Sequence, residues 1–253
     1  MALIAFLAYE RRRTDPLIDP RFFRSAPFSG ATATAVCAFA ALGGFLFLNT
    51  LYLQDVRGFS PLAAGFYLLP MAVTLAVCAP LSGRIVATRG ARVPLVLAGL
   101  ALIAGGVLLT RLTDATSAGF LVLSYMVFGA GFGLVNAPIT NAAVSGMPRQ
   151  QAGVAAGVAS TSRQVGTSLG VAIIGSVLTG NLHGPLRTAF VAASRPGWQI
   201  VAACGAVVLI LGVATTGRWA RGTAARTAAL LEPSAGNPPS QTRATPADKA
   251  RAH

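Results

Sequence analysis

WQIVAACGAVVLILGVATTGRW, residues 198–219, decides how the rest of the chain is read. Its two tryptophans lie 21 residues apart, about 31 Å along an α-helix at about 1.5 Å per residue. That length matches the hydrocarbon thickness of a bilayer. Trp198 and Trp219 are therefore expected in the two interfacial aromatic belts, with an apolar helix between them. Five more runs of spanning length precede this one, at residues 27–53, 61–87, 92–112, 118–142 and 153–179. The second and fifth begin after breaker clusters, Gly58-Phe59-Ser60-Pro61 and Met147-Pro148, where a helix must start afresh.

The composition of the whole 253-residue chain agrees. Apolar residues make up 54%, charged residues only 11%, and the mean hydropathy is +0.64. A soluble domain carries about 25% charged residues, so a soluble enzyme and a disordered protein are poor fits. The net charge of +13 does not indicate nucleic acid, because the bases stand at the ends of spans with no aromatic interleaving. Summed over alternate loops, fifteen bases fall on one side and four on the other, with Arg163 inside a span. The positive-inside rule places the fifteen in the cytoplasm, together with both termini. An even number of spans is then needed, and six satisfies it. Residues 1–9 are too short to cross and read as the end of a preceding helix. Residues 10–26 read as a cytoplasmic linker, 27–219 as the six-helix bundle and 220–253, rich in Pro, Ser, Ala and Thr, as a disordered cytoplasmic tail.

None of the seven acids lies in a span core, and a proton-coupled carrier normally holds a titratable group there. Cys37, Cys78 and Cys204 are isolated within apolar runs, and neither a metal nor a cofactor is expected. No Ser/His pair or paired acids lie within the bilayer, which argues against an intramembrane hydrolase. Polar residues cluster in three places: Asn49, Thr50, Tyr52 and Gln54; Asn136, Thr140 and Asn141; and Ser160 to Thr167 around Arg163. Amides and hydroxyls so placed either bond neighbouring helices or line a cavity. A guanidinium ten residues into a span must face water, a partner or a headgroup. Glycines at FGAGFGLVNAP, at 153/157 and at 166/170 are spaced for close helix approach.

The ordered segments ERRRTDPLIDPRFFR, FLFLNTLYLQDVRGFSPLAAGFYLLP, SGRIVATRGAR and FGAGFGLVNAPITNAAVSGMPRQQAGVAAGVASTSRQVGTSLGVAIIG resemble the C-terminal half of the fourteen-spanning drug:proton antiporters of the major facilitator superfamily. In SGRIVATRGAR, Gly83, Gly90 and Arg92 match the second copy of the family's short cytoplasmic loop motif. Ala87 and Thr88 stand where the fuller pattern is acidic and basic. The resemblance implies an all-α membrane protein, six transmembrane helices forming one half of a two-bundle carrier in the cell (inner) membrane. It implies efflux of drugs or other amphipathic small molecules, with protons as the coupled ion in the full-length transporter. Asn49, Tyr52, Gln54, Asn136, Asn141 and Arg163 would line the cavity. The expected partners are the lipid bilayer, a small-molecule substrate, and a missing N-terminal half or a second copy that closes the cavity. Alone, the chain is not expected to transport. The alternatives are a truncated, non-transporting membrane protein, or the same fold with another substrate.

Overall fold

The computed structural model describes residues 26–144 and 152–216. Among them every regular element is helical: α1 (Ala26–Leu51), running into a π-helical turn (Tyr52–Val56), α2 (Pro61–Arg89), α3 (Arg92–Leu109), α4 (Ala118–Val144), α5 (Ala152–Asn181) and α6 (Leu186–Ala214). Backbone groups find no water in a bilayer, so each crossing segment must satisfy its own amides, as helices do. The chain is thus an all-α, multi-pass membrane protein. The expected remnant helix, linker and tail, Trp219 and the Arg149 loop lie outside the described residues.

Among the described residues five helices are long and apolar enough to cross a membrane: Pro27–Val56, Pro61–Arg89, Arg92–Leu109, Ala118–Asn141 and Leu186–Ala214. The helix α5 has the length, at 30 residues, but Ser160, Thr161, Ser162, Arg163, Gln164, Thr167 and Ser168 occupy its middle. It nevertheless packs along α1. Its polar middle sets it apart from the other five helices.

Local chemistry explains the boundaries. Ser60, extended at ψ 155°, caps α2 by accepting the Ala63 N–H at 3.3 Å, and Pro61 follows at the first helical position. The other end stops at Gly90, whose φ of +79° favours glycine, and whose N–H donates to Val86 O at 3.0 Å. Only Ala91 then separates it from α3. Pro70 lies inside α2, and the hydroxyl of Thr74 donates to its carbonyl at 2.9 Å.

Close contacts fix the topology. A Cβ on Gly166 would strike Val36 and one on Gly170 would strike Ala40, so α1 and α5 run parallel. Met71 meets Gly129 and Leu75 meets Gly133, making α2 and α4 parallel too. Gly99 against Leu209, Gly106 against Ala202 and Gly212 against Leu95 make α3 and α6 antiparallel. Gly30 approaches Thr215, so the start of α1 and the end of α6 share one end of the bundle. Ala91 and Pro138 line a small cavity there with Thr215. Arg84, Arg89 and Arg92 belong to that end, whereas Arg187 approaches Gly58, the neighbour of Arg57, at the other. The first is the inner end of the bundle and the second the outer end.

The core sits where α1 crosses α4 and α6. Phe45 stacks on Phe128 at 4.3 Å and meets Tyr125 and Trp198 edge-on at 5.5 and 6.1 Å. The expected interfacial position of Trp198 is corrected here. The helix α6 begins at Leu186, twelve residues earlier than expected, and Trp198 is 0% exposed in its interior. Gly197 beside it admits Leu48 and Ile174, which lets the indole sink into the bundle.

Candidate functional site

The polar residues separate into two groups by depth. At the outer end, Asn49 is buried and its Oδ1 accepts the Tyr125 hydroxyl, while its Nδ2 has no partner. Tyr52 is 0% exposed, and its hydroxyl donates to Thr113 O at 2.7 Å. The expected lining position of Tyr52 is corrected accordingly: the π-helical turn rotates it inward, against Phe190 and the α3–α4 connection. Asn49 is likewise turned into the bundle. Gln54 is half-buried in the same π-helical turn.

Arg57 completes this outer cluster. Its Nη1 donates to Thr116 O at 2.7 Å and reaches the Tyr52 hydroxyl at 3.4 Å, and its guanidinium lies 5.4 Å from the centre of the Phe59 ring. Tyr52 and Arg57 together tie the end of α1 to the α3–α4 connection. Arg57→Ala is expected to cost about 1 kcal/mol, a charge-assisted hydrogen bond discounted for partial exposure. Thermal unfolding in detergent checks this. A midpoint unchanged from the parent, with Tyr52→Phe also silent, would show that the brace carries no load.

The second group lies in the inner half, on the side of α1 opposite α6. Phe39, Gly43, Leu46 and Thr50 follow one stripe of α1, whereas Phe45 and Leu48 on the far side meet α6. Arg163 of α5 reaches across this stripe. Its Nη2 donates to Thr140 Oγ1 of α4 at 2.9 Å, and its guanidinium carbon stands 5.6 Å from the centre of the Phe39 ring. Thr140 in turn donates to Asn136 O at 3.2 Å, and Asn136 Nδ2 donates to Phe132 O at 2.9 Å. The Thr140 hydroxyl is thereby oriented to receive the guanidinium proton. Asn141 is exposed one residue further on.

Arg163 is half-buried, and its Nε is buried without a partner. The acids among the described residues are Asp55, in the π-helical turn, and Asp114, in the α3–α4 connection. Both belong to the outer end, and α5 extends a further ~27 Å from Arg163 before reaching that end, at about 1.5 Å per residue. No described carboxylate therefore compensates this cation. Of the loop-motif residues, Gly83 faces open space, Gly90 makes the turn and Arg92 is exposed at the start of α3.

The sequence places Thr140 in one polar cluster with Asn136 and Asn141, on the face it shares with Asn136, but the lining residues expected from it did not include Thr140, which is the one that meets Arg163. Phe39 gave no signal, being one aromatic among thirteen phenylalanines. A wide apolar stripe on α2, from Leu62 and Phe66 through Leu69, Val73 and Val77 to Leu81, is also exposed.

The sequence profile of the Major Facilitator Superfamily matches residues 2–171, and the chain belongs to that family. It is 36% identical over 182 residues to the multidrug resistance protein Stp of Mycobacterium tuberculosis, covering 72% of this chain and 34% of Stp. It is 37% identical over 179 residues to the tetracenomycin C resistance and export protein of Streptomyces glaucescens, covering 70% and 33%. The quinolone resistance protein NorB of Staphylococcus aureus is 30% identical over 174 residues, covering 68% and 37%. The chain thus spans about a third of the length of the curated relatives it matches.

Proposed function

We propose that this chain forms one six-helix half of a transporter that exports drugs or other amphipathic small molecules across the cytoplasmic membrane. The observation that carries the reading is Arg163: a cation in the middle of α5, held by Thr140 and Phe39 on the side of α1 away from α6. A charge there is costly against lipid and tolerable against a watered pathway. The three resistance relatives support drug-like cargo. The density of bases around the inner end supports a cytoplasmic placement of that end and of both termini. The second wall of the pathway comes from outside this chain, from the remaining two thirds of a protein built like the relatives or from a second copy. Protons drive the export through a carboxylate on that other part, since the spans read here supply none.

Dye efflux in a pump-deficient bacterium tests the proposal. The chain expressed alone is expected to leave ethidium retention unchanged. Co-expression with the part of Stp that the chain does not match is expected to restore efflux that a protonophore abolishes. Efflux from the chain alone overturns the half-carrier reading. Folded co-expressed parts that move no dye leave the alternative of a non-transporting membrane protein.

A further inference from the structure

We infer that Arg163 and the groove above it form a binding site for an amphipathic monocarboxylate. This rests on the reading that the open face of α1, α4 and α5 borders a solute pathway. The groove, about 360 Å³ in volume, lies between α1 and α5 and is lined by Gly43, Leu46, Phe47, Thr50, Thr167 and Val171. Its volume falls in the range of small-molecule sites, about 300–1,000 Å³, and its walls are apolar except for two threonine hydroxyls. Both threonines already donate within their own helices, Thr50 to Leu46 O at 2.8 Å and Thr167 to Arg163 O at 3.0 Å. The groove therefore offers apolar surface and almost no free donors.

Arg163 lies one helical turn from Thr167, a lining residue of that groove, on the inner-end side. The two helices are parallel, so their residues pair as rungs: Phe39 with Arg163, Gly43 with Thr167, then Leu46 and Phe47 beside Val171. Arg163 and Thr167 are one turn apart on one face, about 6 Å along the axis. A ligand with its acid at Arg163 lays its apolar body upward along the groove.

The chemistry selects one carboxylate. Thr140 takes one Nη2 proton and Phe39 covers one face of the guanidinium, which leaves Nε–H and the second Nη2 proton, on the side-on edge of the fork, for a planar, two-oxygen acceptor. In the unliganded pose Nε is buried and unpaired, which disfavours that pose. Rotation of the flexible side chain toward the groove exchanges the Thr140 bond for a ligand carboxylate that also takes the Nε proton. A dianion would need a second cation. The other described arginines, Arg57, Arg84, Arg89, Arg92, Arg111, Arg187 and Arg195, belong to the helix ends or to α6.

The test compares 2-naphthoate with its neutral amide, 2-naphthamide, by equilibrium dialysis against the full chain in zwitterionic lipid nanodiscs. The parent is expected to hold the acid about ten-fold tighter than the amide, the margin of a charge-assisted over a neutral hydrogen bond. Arg163→Gln is expected to level the two, Arg163→Lys to keep part of the preference, and Arg84→Gln to leave it intact. Leu46→Gln is expected to weaken acid and amide together. Equal affinity in the parent, or a preference that survives Arg163→Gln, overturns the site. Loss of the preference in discs containing anionic lipid would assign the guanidinium to a headgroup and overturn it as well. Binding is read without transport. A chain that binds naphthoate yet restores no efflux sinks the transport reading and spares the site, and the reverse outcome does the opposite.

Discussion

Gly170→Val is expected to leave little folded protein: a fluorescent fusion of the chain, run through size exclusion in mild detergent, should lose its monodisperse peak. The reason is backbone against backbone. A Cβ at position 170 would collide with Ala40 O and lie 2.7 Å from both Ala40 C and Ala40 Cα. No rotamer change relieves such a contact, because none of these atoms belongs to a side chain. The helices α1 and α5 would have to separate, and the approaches of Gly166 to Val36 and of Gly43 to Thr167 would open with it. In a membrane, where lipid is as apolar as leucine, packing is the main attraction between helices. Separation by even an ångström forfeits a large share of each dispersion contact. Overpacking of this kind costs about 3 kcal/mol or more, a large part of a typical folding free energy of about 5–15 kcal/mol. Gly157→Val in the same helix is the control, since nothing lies within 4 Å of a Cβ built there. A Gly170→Val protein as monodisperse as Gly157→Val would show that α1 and α5 do not pack as described.

That pair of glycines also marks the limit of the sequence. Gly153/Gly157 and Gly166/Gly170 have the same spacing in the same helix, and both invite a close neighbour. Among the described residues only the second pair has one, where α1 passes beside it. The helices themselves were legible because a minimum apolar length is a physical demand of the bilayer, and the α2 caps because Ser60-Pro61 and Gly90 act locally. The site was half legible. Arg163 announces itself by its charge, whatever the packing. Asn49 and Tyr52 looked equally functional, yet a helix carries polar residues inward and outward alike, and the phase that decides between them is set by α4 and the α3–α4 connection. Arg57 read as an ordinary loop charge. Its acceptor is the carbonyl of Thr116, 59 positions away, and a backbone oxygen leaves no mark in a sequence.

Trp198→Ala separates the two readings of the stretch that framed the chain. An interfacial indole is half in headgroups, so truncating it changes little in the bundle and costs well under about 1 kcal/mol, as surface changes generally do. The structure instead buries Trp198 completely, edge-on to Phe45 at 6.1 Å. Phe45 is also stacked on Phe128, so removing the indole takes a wall from the cluster that joins α1, α4 and α6. The cavity term then dominates, at about 3–5 kcal/mol for a buried tryptophan cut to alanine. Trp198→Phe is expected to recover most of that loss. Its Nε1 has no partner to forfeit, and a phenyl ring keeps much of the edge contact. Phe45→Ala combined with Trp198→Ala should cost less than the two singly, because both empty the same space. Unfolding midpoints of the four variants and the parent in one detergent decide the matter. An indole at the membrane surface would give a near-silent Trp198→Ala and strict additivity with Phe45→Ala. An indole in the core gives a large loss, rescue by phenylalanine and a shared cavity.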